Sequence, residues 1–143
     1  MNELEKQVRK VFEGYKAAVF AKDVEAFLSH YTEDIHIFDL WEKWSYEGIQ
    51  AWRGMATDWF GSLGDEKVVV DFDDVQITGS DNIAVAHAYI TYKALSVDGQ
   101  ELRSMNNRLT LALKRTNDGW KIFHQHSSAP IDGDTLKVMF KRA

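Results

Sequence analysis

The chain has 143 residues, with 17 Lys plus Arg against 22 Asp plus Glu. It therefore carries a formal net charge of −5, and its length predicts one domain over residues 1–143. An acidic chain without a basic run is unsuited to nucleic acid, and the lack of cysteine excludes disulfides, thiolate nucleophiles and cysteine-based metal sites. No apolar run approaches the ~20 residues of a membrane helix and the charged N-terminus is unlike a signal peptide, so we expect a cytoplasmic protein that acts on a small molecule or a protein partner.

The first part of the chain has the periodicity of helices. Apolar residues recur every three or four positions from Leu4 to Val19, which predicts one long amphipathic helix. Asp23 is expected to cap a short second helix that reaches Leu28. The chain therefore begins with two helices in succession.

A strand and a third helix follow. The segment from Ile35 to Phe38 alternates and is too short for a helix, so it predicts a strand that ends near Asp39. An irregular aromatic loop from Trp41 to Gly48 precedes a return to helical spacing at Ile49, and Gly61 and Gly64 are expected to end this helix.

After residue 66 the pattern changes to strands. Runs of β-branched and aromatic residues cover Val68–Ile77, Ile83–Val97, Glu101–Arg115 and Trp120–Ser127, with turn signals between them. Such short connections make neighbouring strands antiparallel. The fold class is therefore predicted to be α+β, with three N-terminal helices on one face of a curved, mainly antiparallel sheet. The segment from Asp132 to Ala143 has too little pattern for a prediction.

The second of these long strands is apolar on both faces. One side carries alanines and Ile90, while Val85 and Tyr89 lie on the other. Three helices can cover only one face of the sheet, so the other face is expected to meet a second subunit in a twofold homodimer.

Two residues of the helical half are candidates for chemistry. Tyr15 lies on the apolar stripe of the first helix, where a core tyrosine is the commoner interpretation. Asp39 ends the first strand, where a capping aspartate is the commoner interpretation. However, a carboxylate among Phe38, Leu40 and Trp41 is desolvated, which raises its pKa and makes it a better base.

The last strand contains two histidines at i and i+2. Alternation is expected to place them on one face together with three other residues, the set being Trp120, Ile122, His124, His126 and Ser128. Only Asp39 or a residue such as His87 could complete a metal site, so we expect neither a metal nor another cofactor. A histidine pair that lines a pocket and a structural pair at a dimer interface both stay open.

Arg108 is the candidate on the neighbouring strand, where Thr110 shares its face. An arginine in the middle of a covered sheet needs an anionic partner or a ligand, because its burial is costly. An ion pair with Asp71 or Asp73 is the structural alternative. Tyr89, one strand further across, is expected in the pocket wall or in the interface.

Three segments carry a family resemblance: YKAAVFAKDVEAFLSHYTED, FDLWEKWSYEGIQAWRGMATDWF and NNRLTLALKRTNDGWKIFHQHSSAPID. The last of these has an arginine two residues before a threonine, and then WKIFHQHSS before a proline. Together the segments resemble the SnoaL-like branch of the NTF2-like superfamily, which includes ketosteroid isomerase. The resemblance implies a cone-shaped α+β fold, and it is more specific for fold than for reaction.

The resemblance also implies roles for particular residues. Tyr15 matches the oxyanion tyrosine of ketosteroid isomerase, and Asp39 matches its general base. Where that enzyme has a protonated aspartic acid as its second oxyanion donor, this chain is expected to offer Arg108 or Thr110. Steroid isomerisation is thereby disfavoured, while enolate chemistry remains open.

These observations predict a protein that binds a hydrophobic small molecule. Its predicted activity is that of an isomerase, lyase or hydrolase that removes a proton next to a carbonyl group. Asp39 would be the base, Tyr15 and Arg108 would hold the oxyanion, and His124 or His126 would shuttle the proton. The expected ligand-binding residues are Trp41, Trp52, Trp59, Phe60, His124, Thr110 and Tyr89. The alternatives are a ligand-binding module without turnover and an oligomerisation module.

Overall fold

The computed structural model describes residues 2–142 and confirms the α+β class. Three helices pack on one open sheet of six strands. The helices are α1 (Glu3–Ala21), α2 (Val24–Leu28) and α3 (Ile49–Ser62). The strands are β1 (Tyr31–Phe38), β2 (Tyr46–Glu47), β3 (Lys67–Gly79), β4 (Ile83–Leu95), β5 (Glu101–Thr116) and β6 (Gly119–Ser128).

The first two helices begin at side-chain caps. The Asn2 carboxamide oxygen accepts a hydrogen bond from the backbone N–H of Glu5 at 2.8 Å. The predicted cap of α2 is confirmed, because Asp23 Oδ1 accepts from the backbone N–H of Ala26 at 3.0 Å. Each cap satisfies an N–H group that has no partner inside its helix. None of the helices within residues 2–142 is long and apolar enough to cross a membrane.

The sheet has the strand order β2-β1-β6-β5-β4-β3. The four long strands form the predicted antiparallel meander, whereas β1 pairs in parallel with β6. Two local expectations were wrong. The aromatic loop contains the short strand β2, which pairs with β1, and Gly61 lies inside α3 rather than after it.

The helices cover the concave face of the sheet. Inward residues of β4 such as Ala84, Ala86 and Ile90 are almost fully buried beneath them. The outward residues Ile83 and Val85 are 47% and 44% exposed. The apolar residues of β4 therefore divide into a core face and an open outer face.

An extra residue in β6 reverses the face on which its histidines lie. Ala112 pairs with His124 and Leu113 pairs with Ile122, so Phe123 is a β-bulge between them. Ile122 points into the core, whereas His124 and His126 point outward. The expectation that these three residues share one face was therefore wrong, because strict alternation fails at a bulge.

The C-terminal segment crosses the sheet beside β5, where β6 has already ended. The backbone N–H of Asn106 donates to the Phe140 carbonyl at 2.6 Å. The Phe140 ring stacks on Trp41, with the ring centroids 5.3 Å apart. The tail is thereby attached both to the sheet and to the loop that follows β1.

The turn between β3 and β4 has no space for a side chain at Gly79. A Cβ there would lie 2.5 Å from the Ile83 carbonyl oxygen and 2.8 Å from the Ala84 Cα. Gly79→Ala should therefore lower the free energy of unfolding by about 1–3 kcal/mol, as measured by urea denaturation. Gly61→Ala is the matched control, because it adds a methyl group in a helix with open space around it and should stabilise by about 0.5–1 kcal/mol. Wild-type stability in Gly79→Ala would contradict this prediction.

Candidate active site

A cavity of about 770 Å³ opens between α3, the loop after β1 and the concave face of the sheet. Its volume is within the range of small-molecule sites. Aromatic side chains form much of its wall, namely Tyr15, Trp41, Tyr46, Trp52, Trp59 and Tyr92. Of the residues that the sequence analysis singled out, this cavity is lined by Tyr15, Asp39, Trp41, Trp52 and Trp59.

A fully buried phenylalanine holds the aromatic wall in place. Phe27 of α2 lies 5.4 Å from the Tyr15 ring, 6.1 Å from Trp52 and 6.3 Å from Trp59, measured between centroids. Contacts at such distances and tilts are favourable, and they fix the rings on which a ligand would lie. Phe60 belongs to this layer behind the wall, 5.6 Å from Phe27, and is not itself among the cavity-lining residues.

Asp39 places a carboxylate in this apolar cavity. It directly follows β1 and lies beside β6, where the Ser127 hydroxyl donates to Asp39 Oδ1 at 3.0 Å. Burial raises the pKa of Asp39, although the hydrogen bond from Ser127 and the backbone N–H groups of Leu40 and Trp41 act in the opposite direction. Asp39 is therefore a better base than an exposed aspartate, and it keeps a fixed orientation.

Two tyrosine hydroxyls meet on the same cavity. Tyr15 of α1 and Tyr92 of β4 lie 2.9 Å apart, oxygen to oxygen. Burial raises the pKa of both tyrosines, and the negative charge of Asp39 raises each further. Only one of the two hydroxyls can donate to the other, so the pair has a proton left to donate to a ligand oxygen.

Several further polar side chains line the cavity. Gln125 accepts at Oε1 from the Tyr31 hydroxyl at 2.7 Å. Arg103, at the edge, donates to Glu66 at 2.7 Å. Asn107 is 5% exposed and lies on the inward face of β5. The cavity is thus apolar in its walls and polar at a few fixed points.

The other residues predicted for the site lie outside this cavity. Arg108, Thr110 and His126 are exposed on the outer face of the sheet. Arg108 Nε donates to the Ser128 hydroxyl at 3.1 Å, and His124 Nδ1 lies 2.6 Å from the His36 carbonyl oxygen. Within one chain the outer face that carries Arg108 is open, so the structure places Arg108 away from the cavity rather than in its wall.

A second pocket of about 280 Å³ lies between β5 and the C-terminal tail. Tyr89 and Arg108 line it, together with Arg142, whose guanidinium lies 3.6 Å from the centre of the Tyr89 ring. The structure therefore brings Asp39 and Tyr15 together, but it separates Arg108 and Tyr89 from them.

Sequence reasoning missed Tyr92, Ser127, Gln125 and Asn107. The alternation of β4 contained the signal for Tyr92, because Tyr92 lies two residues beyond Ile90 on the apolar face. Ser127 and Gln125 were left out because strict alternation separates them from the predicted set of β6, and the bulge at Phe123 leaves no clear mark in the sequence. Asn107 is preceded by another asparagine and had no distinguishing pattern.

The comparisons with solved structures show the fold. An NTF2-like protein of unknown function from Pseudomonas putida KT2440 superposes with a TM-score of 0.85 at 24% identity, over 98% of this chain and 96% of that one. An NTF2-like protein with a cystatin-like fold from Novosphingobium aromaticivorans gives 0.70 at 19% identity, over 92% and 84%. An NTF2-like superfamily protein from Salmonella enterica gives 0.71 at 18% identity, over 92% and 94%.

The comparison with protein families is more specific, whereas no curated protein gives a match. The family model of the SnoaL-like domain matches residues 8–132. That range includes most of α1, all of α2 and α3, and the whole sheet. The chain belongs to the SnoaL-like domain family, as the motifs of its sequence indicated.

Proposed function

We propose that this protein binds a hydrophobic, carbonyl-containing small molecule and removes a proton from the carbon next to the carbonyl. One observation carries this proposal. The desolvated carboxylate of Asp39 lines the same aromatic cavity as the Tyr15–Tyr92 pair, in which one hydroxyl hydrogen is not used by the hydrogen bond between the two tyrosines. A base and a hydrogen-bond donor on one cavity are the groups that enolate formation needs.

The step follows from the positions of these groups. Asp39 takes the proton as the C–H bond breaks, and the electron pair of that bond moves towards the carbonyl oxygen. A tyrosine hydroxyl donates to the oxygen as its negative charge grows. In a ligand with a C=C bond conjugated to the enolate, return of the proton to the far carbon gives an isomerisation, and in a ligand with a leaving group on the β-carbon, expulsion of that group by the electron pair gives a lyase reaction. Only side chains of this chain are used.

Proton exchange in a simple ketone tests the proposal. The probe is 2-tetralone in D₂O, and the measurement is the loss of its α-proton signals by NMR with and without protein. We expect the protein to accelerate exchange above the buffer rate. If the protein binds 2-tetralone but does not accelerate the exchange of its α-protons, the protein is instead a ligand-binding module without turnover.

We also propose that a second copy of the chain covers the outer face of β4. Ile83 and Val85 expose apolar surface there, and exposed apolar patches of this kind mark interaction sites. The wild-type protein should sediment as a dimer at micromolar concentration, and Val85→Lys should shift it to monomer without unfolding it. A wild-type monomer would contradict the proposal.

The cytoplasmic location stays a prediction.

A further inference from the structure

The second pocket, between β5 and the C-terminal tail, is lined by positive charge. Arg108, Lys141 and Arg142 contribute side chains to it, and no aspartate or glutamate of the described residues 2–142 lines it. The chain as a whole has a net charge of −5, so the pocket is opposite in sign to the protein as a whole. All three cationic residues are exposed, and a ligand that enters the pocket can therefore reach them.

The two arginines of this pocket are neighbours of one aromatic ring. Tyr89 of β4 pairs with Arg108 of β5, and the guanidinium of Arg142 lies 3.6 Å from the centre of the Tyr89 ring. Cross-strand partners have their Cβ atoms about 4.5–5.5 Å apart, so the strand pairing brings both arginines to the same ring. Two nearby positive charges repel each other, and an anion that contacts both would offset this repulsion.

Arg108 forms no ion pair with a carboxylate of residues 2–142. The alternative expected from the sequence, an ion pair with Asp71 or Asp73, is therefore not found. Arg108 Nε donates to the Ser128 hydroxyl at 3.1 Å, which orients the guanidinium and leaves its two terminal NH₂ groups for a ligand. These two groups have the geometry that binds both oxygens of a carboxylate or phosphate group.

The other two cations of the pocket are not neutralised by close carboxylates. The Lys141 ammonium donates to the uncharged hydroxyl of Ser104. Arg142 Nη2 lies 3.9 Å from Asp74 Oδ2, which is too long for a hydrogen bond, and the Asp74 side chain is 73% exposed. Because an exposed pair of this kind contributes little, it does not take the place of an anion in the pocket.

The rest of the pocket wall is largely apolar. Tyr89, Ala129, Pro130 and Met139 line the pocket beside the three cations. Its volume of about 280 Å³ is far above the roughly 30 Å³ that one water molecule occupies. The pocket therefore has room for an acidic group together with a small apolar body.

We infer that the second pocket binds a small organic anion, whose carboxylate or phosphate group contacts Arg108 and Arg142 and whose apolar body lies against the apolar wall. The pocket is not the aromatic cavity, so this inference does not depend on the proposed proton transfer. Tyr89 lies four residues along β4 from Val85, or about 13 Å, so the pocket is also at a distance from the proposed dimer contact.

An NMR titration of the isotope-labelled protein with benzoate, phenyl phosphate and benzamide tests the inference. Benzoate or phenyl phosphate should shift the backbone amide signals of Tyr89, Arg108 and Arg142 until they saturate, and the tighter of the two identifies the acidic group. Benzamide has the shape of benzoate without its charge, so it should bind at least about tenfold more weakly than the preferred anion. Added salt should weaken the binding of both anions, because the cations are exposed.

Substitutions that remove one charge test whether the pocket itself is responsible. Arg108→Gln and Arg142→Gln should each weaken the binding of the preferred anion by about tenfold. Arg115→Gln is the matched control, because Arg115 is also an exposed arginine that lies over an aromatic ring, 5.3 Å from the centre of Trp120, but does not line the pocket. It removes the same charge from β5 and should weaken binding by about twofold or less.

The outcomes that would overturn the inference concern the ligand, the place and the charge. If neither anion gives saturable shifts, or if the shifts are confined to residues of the aromatic cavity, the second pocket is not an anion site. Equal binding of benzamide and benzoate would show that the cations do not select the ligand. Equal losses in Arg108→Gln and Arg115→Gln would show that only the net charge of the protein matters.

Discussion

Replacing Asp39 by Asn should slow the protein-dependent exchange of 2-tetralone α-protons by about 10²–10⁴-fold, the range that a positioned general base contributes. Asparagine has nearly the same size and can still accept a hydrogen bond from Ser127, so the fold should be retained. What is lost is the ability to take a proton. Exchange is followed by NMR, and folding is followed by circular dichroism.

Asp34→Asn is the control for this substitution. Asp34 lies on β1, the strand that Asp39 follows, but it is exposed, and the hydrogen bond from the Thr32 hydroxyl lowers its pKa. The pKa of the buried Asp39 carboxyl is thus raised, whereas the pKa of the exposed Asp34 carboxyl is lowered. Exchange should continue at the wild-type rate in Asp34→Asn. Undiminished exchange in Asp39→Asn would remove this aspartate from the mechanism.

The raised pKa of Asp39 also determines the direction in which the exchange rate and the stability of the fold change with pH. Because the base acts only when it is deprotonated, exchange should fall as the pH decreases through this pKa, at a higher pH than an exposed aspartate would show. A raised folded-state pKa contributes stability below the unfolded-state pKa, and this contribution is lost as the pH rises through the folded-state value. Asp39→Asn should therefore have a higher thermal midpoint than the wild type at neutral pH, and this difference should shrink towards acid pH.

The parts of the fold that sequence predicted correctly depend on local chemistry. The stripe from Val8 to Val19 and the cap at Asp23 involve residues a few positions apart, so their pattern is visible in the sequence itself. The turn signals between the long strands are equally local. These elements were therefore predicted with bounds close to those observed.

The parts that were missed depend on distant partners. One extra residue at Phe123 turns His124 and His126 away from the cavity. It brings Gln125 into the cavity wall and Ser127 into contact with Asp39, and nothing in a single sequence marks that bulge. The contact of Phe140 with Trp41 joins segments about a hundred residues apart. Periodicity cannot predict such pairings.

Local pattern singled out Tyr15 and Asp39, and the family resemblance supplied their expected roles. Both side chains line the cavity. The second donor was sought on β5, at Arg108 or Thr110, but both side chains point outward. In the structure the second hydroxyl comes instead from Tyr92 on β4. The family pattern thus gave roles to the residues that match it, Tyr15 and Asp39. It could not identify Tyr92, which supplies the second hydroxyl from a different strand.

The tyrosine pair leads to the second prediction with a large effect. Tyr15→Phe and Tyr92→Phe should each slow exchange, by up to about 10²–10³-fold for the hydroxyl that contacts the ligand oxygen. The other hydroxyl donates to it and strengthens its hydrogen bond to the ligand, so its loss should cost less. The double variant should be less impaired than the product of the two single effects, because both substitutions disrupt one hydrogen-bonded unit.

Tyr31→Phe is the control for these variants. Its hydroxyl is as deeply buried and also makes one side-chain hydrogen bond, to Gln125, but Tyr31 does not line the cavity. This substitution should lower the thermal midpoint and leave the exchange rate unchanged. The acid limb of the pH profile should stay in place in Tyr15→Phe, because Asp39 remains the base. If both single tyrosine variants exchange 2-tetralone at the wild-type rate, the pair serves only to stabilise the contact between α1 and β4, and the enolate oxygen must be held by another group in the cavity.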